Sequence, residues 1–290
     1  MNGILNILKP PGMTSHDVVS YVRRTLKIKK VGHTGTLDPG AAGVLPICLG
    51  HGTKIAQYLT DQSKEYICEV TLGNETDTYD KYGAFIHSED SDYNHVTLDD
   101  VYDKLSLFNG EITQTPPAYS AIRINGKRAY DLAREGKDFE IPKRTVTIYN
   151  IELLSFNLPK ISLKINCSKG TYIRSICKDL GDLLGCYGYM SFLLRTKTGP
   201  FSIDNAINLQ EISLENIESS IYPIEYGLEM KDVFIDSKFN YKVLNGNPVE
   251  VINIPLLKDG EKVKAFIEPN KFIGIGHIHS GLFKIDKLMV

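Results

Sequence analysis

The sequence predicts an α+β fold built on a mixed sheet, and three observations carry that expectation. Tyr66, Cys68, Val70 and Leu72 recur at every second position, the period of a strand with one apolar side. Val18, Val19, Val22 and Leu26 recur at helical spacing and give a second segment one apolar face. Strand and helix signals then follow one another in irregular order, which favours a mixed sheet over a doubly wound parallel one.

Taken in order, residues 4–8 read as a short strand. Ser15 is placed to cap a helix running to about Leu26, with Asp17 in its first turn. Residues 43–49 read as a buried strand, 54–59 as a short helix and 66–72 as the alternating strand. Thr97, with Asp100 three residues on, predicts a helix over 98–108 that Gly110 stops. Asn125-Gly126 signals a hairpin, followed by a helix over 129–135 that ends at Gly136. Strands near 146–154 and 161–167 precede a helix over 172–184. Beyond Pro223 the texture changes: short β-rich segments at 263–268, 272–278 and 283–289, punctuated by Asn245-Gly246 and Asp259-Gly260, suggest a small β-barrel. The expected domains are therefore 1–222 and 231–290.

At 290 residues, 42% hydrophobic and 23% charged, the chain has the composition of an ordinary globular protein with room for a large and a small domain. No apolar run reaches the length of a membrane span and no signal peptide opens the chain, so no membrane partner is expected. Five cysteines, odd in number and never spaced Cys-x-x-Cys, argue against a disulfide framework or zinc site and for the cytoplasm. Net charge is −2, but it is unevenly placed. Residues 1–60 hold seven Lys/Arg against two Asp/Glu, and residues 113–204 hold fourteen against eight. Residues 64–110 hold three against eleven. Folding can bring the two basic blocks together as one face for an anionic partner.

The most informative stretch is Gly32-His33-Thr34-Gly35-Thr36-Leu37-Asp38-Pro39-Gly40-Ala41-Ala42-Gly43. It surrounds one carboxylate with small and turn-forming residues, predicting a tightly specified loop that a large ligand can approach closely; an ordinary surface Asp-Pro turn is the alternative. Gly35 and Gly40 have the glycine spacing of a phosphate-binding loop, but Ala41 and Ala42 stand where Lys and Ser/Thr are required. Ser15-His16-Asp17 carries the residue types of a catalytic triad, yet sequence neighbours at a helix start diverge in space. His277 and His279 on a predicted strand lack a neighbouring carboxylate or cysteine that would make a metal site. Arg174 falls in the first turn of its predicted helix if Thr171 caps it, with Lys178 on the same face. The helix dipole and like-charge repulsion both disfavour that arrangement unless an anion faces it.

The loop GHTGTLDPGAAGVL resembles the signature of the bacterial tRNA pseudouridine-55 synthase family, in which its Asp is catalytic. Three more segments agree in order and spacing: residues 3–15, GILNILKPPGMTS; Lys64-Glu65-Tyr66; and residues 168–175, SKGTYIRS. The resemblance implies the pseudouridine synthase fold, a mixed sheet with helices packed about it, followed by a PUA-like RNA-binding module. It implies an isomerase acting on uridine 55 in the TΨC loop of tRNA, reached by base flipping. Asp38 would stabilise or trap the anomeric carbon as the base leaves. Three routes are open to it: attack on C1′, addition to the ring at C6, or abstraction of a proton from C2′. Arg174 would hold Asp38 as an oriented carboxylate, leaving Lys178 nearer RNA, while Tyr66 would stack on the uracil and help remove the C5 proton.

By the same resemblance His33 takes up space near the vacated stack, Tyr172 belongs to the motif around Arg174, Leu193 and Arg195 line the uracil pocket, and Lys9 supports the catalytic loop from below. RNA contact is expected from Arg23, Arg24, Lys27, Lys29 and Lys30 and from Arg123, Lys127, Arg128, Lys143 and Arg144, where position and charge agree. No step needs a metal, nucleotide or redox cofactor, and the T-arm of tRNA is the expected partner of a monomer that uses no guide RNA. A non-catalytic RNA chaperone and a glycoside hydrolase are the readings from other classes. The hydrolase would want a second carboxylate near Asp38, and the acidic run Glu75 to Asp80 reads as a solvated loop instead.

Overall fold

The computed structural model describes residues 1–87, 91–252, 257–267 and 269–289. The first part of the chain contributes β1 (Gly3–Lys9), α1 (Ser15–Thr25), β2 (Val31–His33), β3 (Ala42–Leu49), α2 (Ala56–Thr60), β4 (Lys64–Leu72) and α3 (Leu98–Ser106). The middle contributes β5 (Gly110–Gln114), β6 (Arg123–Ile124), β7 (Lys127–Arg128), α4 (Ala129–Arg134), β8 (Arg144–Asn157), β9 (Lys160–Cys167), α5 (Ile173–Leu183) and β10 (Gly188–Thr198). Short strands β11 (Phe201–Ser202), β12 (Ile207–Asn208) and β13 (Ile221–Tyr222) lead to the last part. That part holds β14 (Lys231–Ile235), α6 (Asn240–Leu244), β15 (Lys262–Ile267), β16 (Lys271–His279) and β17 (Leu282–Leu288).

The main sheet runs β12-β1-β3-β10-β4-β9-β8-β5, with β11, β13 and β2 attached to β10, β1 and β3. It is mixed, because β1 is parallel to β12 and β3 to β10 while its other pairs are antiparallel. The alternation along β4 buries Tyr66, Cys68, Val70 and Leu72 against Ile173, Ile176, Cys177 and Leu180 of α5. α1 covers the other half, setting Val18, Val19 and Val22 on Leu5, Ile7, Leu45 and Ile47. All five cysteines are buried and unpaired, as small apolar core residues.

Several local expectations need correction. Thr14, not Ser15, caps α1: its hydroxyl accepts from the Asp17 amide while Asp17 accepts from the Thr14 amide, closing a capping box. Ser15 is freed for a tertiary bond described below. The Thr97 and Asp100 box caps α3 as predicted. Tyr172 rather than Thr171 stands at the start of α5, and the Thr171 hydroxyl donates to the Ser168 carbonyl. Strand β10 was not anticipated, although it lies at the centre of the sheet between β3 and β4. Its register slips at Met190/Phe192 and at Arg195/Lys197, so a strict two-residue period is broken twice.

The last part forms a separate four-stranded sheet, β14-β15-β16-β17, in which the first pair is parallel and the others antiparallel. Strand β14 was not anticipated either, and the predicted strand end at Glu268 lies outside the described residues. The segment before β15 bonds both sheet edges: Val249 exchanges two bonds with Phe283 on β17, and the Ile252 amide donates to Phe234 on β14. That bridging closes the sheet toward a barrel around Val233, Ile235, Val263, Ala265 and Phe283. Ile275 and Met289 leave this core to pack on Ile4, Val44 and Cys48 of the main sheet.

Candidate active site

Asp38 lies between β2 and β3 on a loop held at almost every residue. Its neighbours Leu37 and Ala41 are core residues, 3% and 2% exposed, so the loop is not the wholly peripheral turn that its small residues suggest. The buried Ser15 hydroxyl accepts from the Leu37 amide at 2.8 Å and donates to its carbonyl at 3.1 Å. The Pro39 carbonyl accepts from the Gly12 amide at 2.8 Å and from Lys9 Nζ at 3.2 Å. Of the four glycines, Gly35 and Gly43 have positive φ, at 145° and 123°. At Gly43 a methyl group would also meet the Arg195 backbone oxygen at 2.2 Å, so only glycine lets β3 lie against β10 there.

Two buried cations underpin this loop. Arg195 is 2% exposed and donates to the carbonyls of Val44 at 2.7 Å, Gly35 at 3.4 Å and Thr36 at 3.5 Å. Lys9 is fully buried and its ammonium donates to the carbonyls of Met13 at 2.6 Å, Pro10 at 2.8 Å and Pro39 at 3.2 Å. Both side chains spend their donors on backbone, so they shape the loop from beneath rather than turn toward a ligand.

Burial lowers the Lys9 ammonium from 10.5 to about 8, with Asp38 opposing the shift. Between those values the unfolded chain holds more protons than the folded one, so this group's contribution to stability rises with pH. Over the same window the loop loses a donor, because a neutral amine offers two N–H groups to three carbonyls. Turnover is expected to fall as pH passes about 8 while the Lys9 part of the melting temperature climbs. Lys9→Met should remove both pH effects and lower turnover at pH 7 about tenfold, read from melting curves and activity between pH 7 and 10.

Arg174, 6% exposed, comes from the first turn of α5. Its Nε lies 3.1 Å from Asp38 Oδ2 and its Nη2 3.4 Å from Oδ1, a forked pair across 136 residues of chain. The rest of the guanidinium donates to the Thr78 and Tyr119 carbonyls, each at 3.1 Å, and meets Asp80 Oδ2 at 3.7 Å. The anion that a cation at this helix start requires is thus supplied twice. Lys178 is paired with Asp182 one turn on.

Asp80 overturns the reading of Glu75 to Asp80 as a solvated loop. Its side chain is 13% exposed, and it is the second carboxylate that the residues around Asp38 do not offer. Its Oδ1 accepts from the Thr78 hydroxyl at 2.9 Å and the Tyr82 amide at 3.0 Å, while Oδ2 faces Arg174. With both oxygens engaged it positions Arg174 and is not disposed as the acid of a glycosidase pair. Asp38, by contrast, keeps 36% of its side chain exposed and is the carboxylate open to a ligand. No sequence pattern marked Asp80 or Gln114, and Ser15 reads in the sequence only as a helix cap, since each acts through a partner distant in the chain.

Tyr66 on β4 is paired in register with Arg195 and is 9% exposed. Burial raises its phenol above the ordinary value, while the charge of Arg195 pulls the other way. His33 is half-buried, its Nδ1 accepting from the Gly35 amide at 3.3 Å, and burial together with Arg195 lowers its pKa. Leu193 is 7% exposed in the same core as Tyr66 and Ile173. The Tyr172 backbone is clamped by two bonds to Gln114, and the Arg144 guanidinium stands 5.6 Å from its ring centre.

Arg24, Lys27, Lys29, Lys30, Arg123, Lys127, Arg128 and Lys143 are exposed. Arg23 and Arg144 are half-buried and donate to the carbonyls of Val31 and Gly170. The hairpin β6-β7 is tied to the site through Tyr119, whose carbonyl touches Arg174. Among the described residues no group of His, Cys, Asp and Glu is arranged to hold a metal ion, and no helix is long and apolar enough to cross a membrane.

Residues 23–173 match the TruB family of pseudouridylate synthases, N-terminal domain, and residues 174–229 match the tRNA pseudouridylate synthase B C-terminal domain. A tRNA pseudouridine synthase B of Alkaliphilus oremlandii is 49% identical, covering 97% of this chain and 94% of its own. One of Clostridium tetani is 47% identical over the whole of both chains. Among solved structures, a chain of a Cbf5-Nop10-Gar1 complex superposes with a TM-score of 0.77 at 26% identity, covering 99% of this chain and 85% of that one. A chain of an H/ACA RNP bound to a substrate RNA containing 2'-deoxyuridine gives 0.75 at 25% identity, with 99% and 85% covered.

Proposed function

The chain belongs to the TruB family of pseudouridylate synthases and isomerises uridine in tRNA to pseudouridine, and from that premise we propose the target, the residue roles and the mode of action. The target is uridine 55 in the TΨC loop, presented by the T-arm and flipped out of its stack. The enzyme works as a monomer in the cytoplasm, without a guide RNA and without a metal or other cofactor. Residues 1–222 form the catalytic domain and residues 231–290 a PUA-like RNA-binding domain.

The observation that carries the reading is the forked Arg174–Asp38 pair on a loop gripped from below, with one carboxylate left open. Asp38 stabilises or traps the sugar carbon as the N1–C1′ bond breaks. The freed ring turns and forms the C5–C1′ bond; C5 loses its proton and N1 gains one, so the product is an isomer. Tyr66 stacks on the uracil, and its oxygen, near the charge of Arg195, takes the C5 proton as its own hydroxyl proton passes on toward N1. His33 occupies the space the flipped base vacates; its lowered pKa supports a neutral ring there. Leu193 and the Tyr172 ring wall the pocket against water, which would otherwise divert the intermediate to hydrolysis. Lys9 and Arg195 act through the loop. Arg23, Arg24, Lys29, Lys30, Arg123, Lys127, Arg128 and Arg144 meet the RNA backbone.

Tritium release from unmodified tRNA labelled at uracil C5 tests the function. Release is expected without added cofactor and only from tRNA that has uridine 55; tight binding with no release would leave an RNA chaperone. Tyr66→Phe keeps the stacking ring and is expected to lower the rate of release by about 10²–10⁴-fold at unchanged tRNA affinity. Equal loss of affinity would make Tyr66 a binding residue alone.

A further inference from the structure

A turn over residues 76–85 lies against the loop that carries Asp38. It is tightly cross-braced: Asp77 and Ala84 exchange bonds, the Thr76 hydroxyl donates to the Asp80 carbonyl at 2.7 Å, and Asp80 binds Arg174. At its tip stand Lys81 and Tyr82. Tyr82 is 65% exposed, yet its ring rests on Gly40, two residues beyond Asp38. A methyl group added at Gly40 would lie 2.0 Å from a ring carbon of Tyr82. Gly40 is not among the glycines with positive φ, and its missing side chain leaves the space in which the ring sits. The exposed Lys81 holds its ammonium 5.3 Å from the centre of the same ring.

We propose that Tyr82 is a stacking platform for an RNA base adjacent to the flipped uridine, with Lys81 meeting a neighbouring phosphate. The proposal rests on the reading of Asp38 as the centre of a tRNA uridine isomerase and adds a specificity contact to it. Extruding one nucleotide from a loop breaks the stack on its neighbours, and a rigid aromatic face at the mouth of the site replaces that stack. A tyrosine does so with few rotors to freeze, and the braced turn has already fixed its direction. The Lys81 cation strengthens the ring as a platform and supplies the charge that backbone contact needs.

Binding and steady-state tritium release with a T-arm RNA test this directly. Tyr82→Ala is expected to raise Kd and KM about tenfold with kcat within about twofold, and Tyr82→Phe to behave like the wild type. Lys81→Ala should weaken binding a few-fold and reduce the slope of log Kd against log salt by about one phosphate contact. RNAs made abasic on the 5′ or 3′ side of the target identify the partner: with one of them the Tyr82→Ala penalty should vanish. Wild-type affinity in Tyr82→Ala, equal loss in Tyr82→Phe, or a penalty that persists on both abasic RNAs would overturn the proposal. A wild-type enzyme that binds but releases no tritium would sink the isomerase reading instead, and the binding measurements would still decide the base contact.

Discussion

Asp38→Asn is expected to abolish tritium release, by at least about 10⁴-fold, while tRNA affinity stays within about fivefold of wild type. The substitution preserves shape and removes the one carboxylate that the site leaves open. Arg174 retains Asp80 and two carbonyls as partners, so the loss of one half-exposed ion pair should cost about 1 kcal/mol of stability or less. On the proposed reading affinity comes mainly from phosphate contacts elsewhere on the surface, and removing a negative charge does not weaken those. A collapse of affinity together with activity would make Asp38 a structural residue. Near-normal release from the variant would place the chemistry on another group altogether.

Arg174→Lys should lose at least about 10²-fold in turnover, because an ammonium cannot fork onto both oxygens of Asp38 while also reaching Thr78, Tyr119 and Asp80. Arg174→Met goes further and leaves Asp80, 13% exposed, without its cation, for a loss of about 3 kcal/mol in stability. Adding Asp80→Asn to Arg174→Met should restore most of the lost stability and none of the turnover. That split separates the two duties of the guanidinium, since a purely structural Arg174 would recover both together. Chemical denaturation and single-turnover tritium release on the same four proteins provide the comparison.

Much of the site was legible because it is written locally. The loop around Asp38, the run Lys64-Glu65-Tyr66 and the segment around Arg174 each hold their residue types side by side, and helix caps such as Thr97 with Asp100 close within one turn. The central strand β10 was not legible, since two register slips break the periodicity that announces a strand. Gly40 shows the same limit at a single residue. It reads as backbone freedom, whereas in the fold its bare Cα seats a tyrosine ring from a turn some forty positions away.

Residue order alone was enough for the faces of α1 and β4, the Thr97–Asp100 cap, the Asn125-Gly126 hairpin and a tightly specified loop at Asp38. Each follows from periodicity, capping and residue type acting over a few neighbours. The folded chain was needed to show that Asp80 shares Arg174 with Asp38, that the Ser15 hydroxyl holds Leu37 instead of capping α1, and that Lys9 and Arg195 lie buried beneath the loop. The reason is that a buried charge or hydroxyl is tolerated only where partners converge on it from several elements. Which elements those are is fixed by the order of strands in the sheet, and no local pattern in the chain states that order.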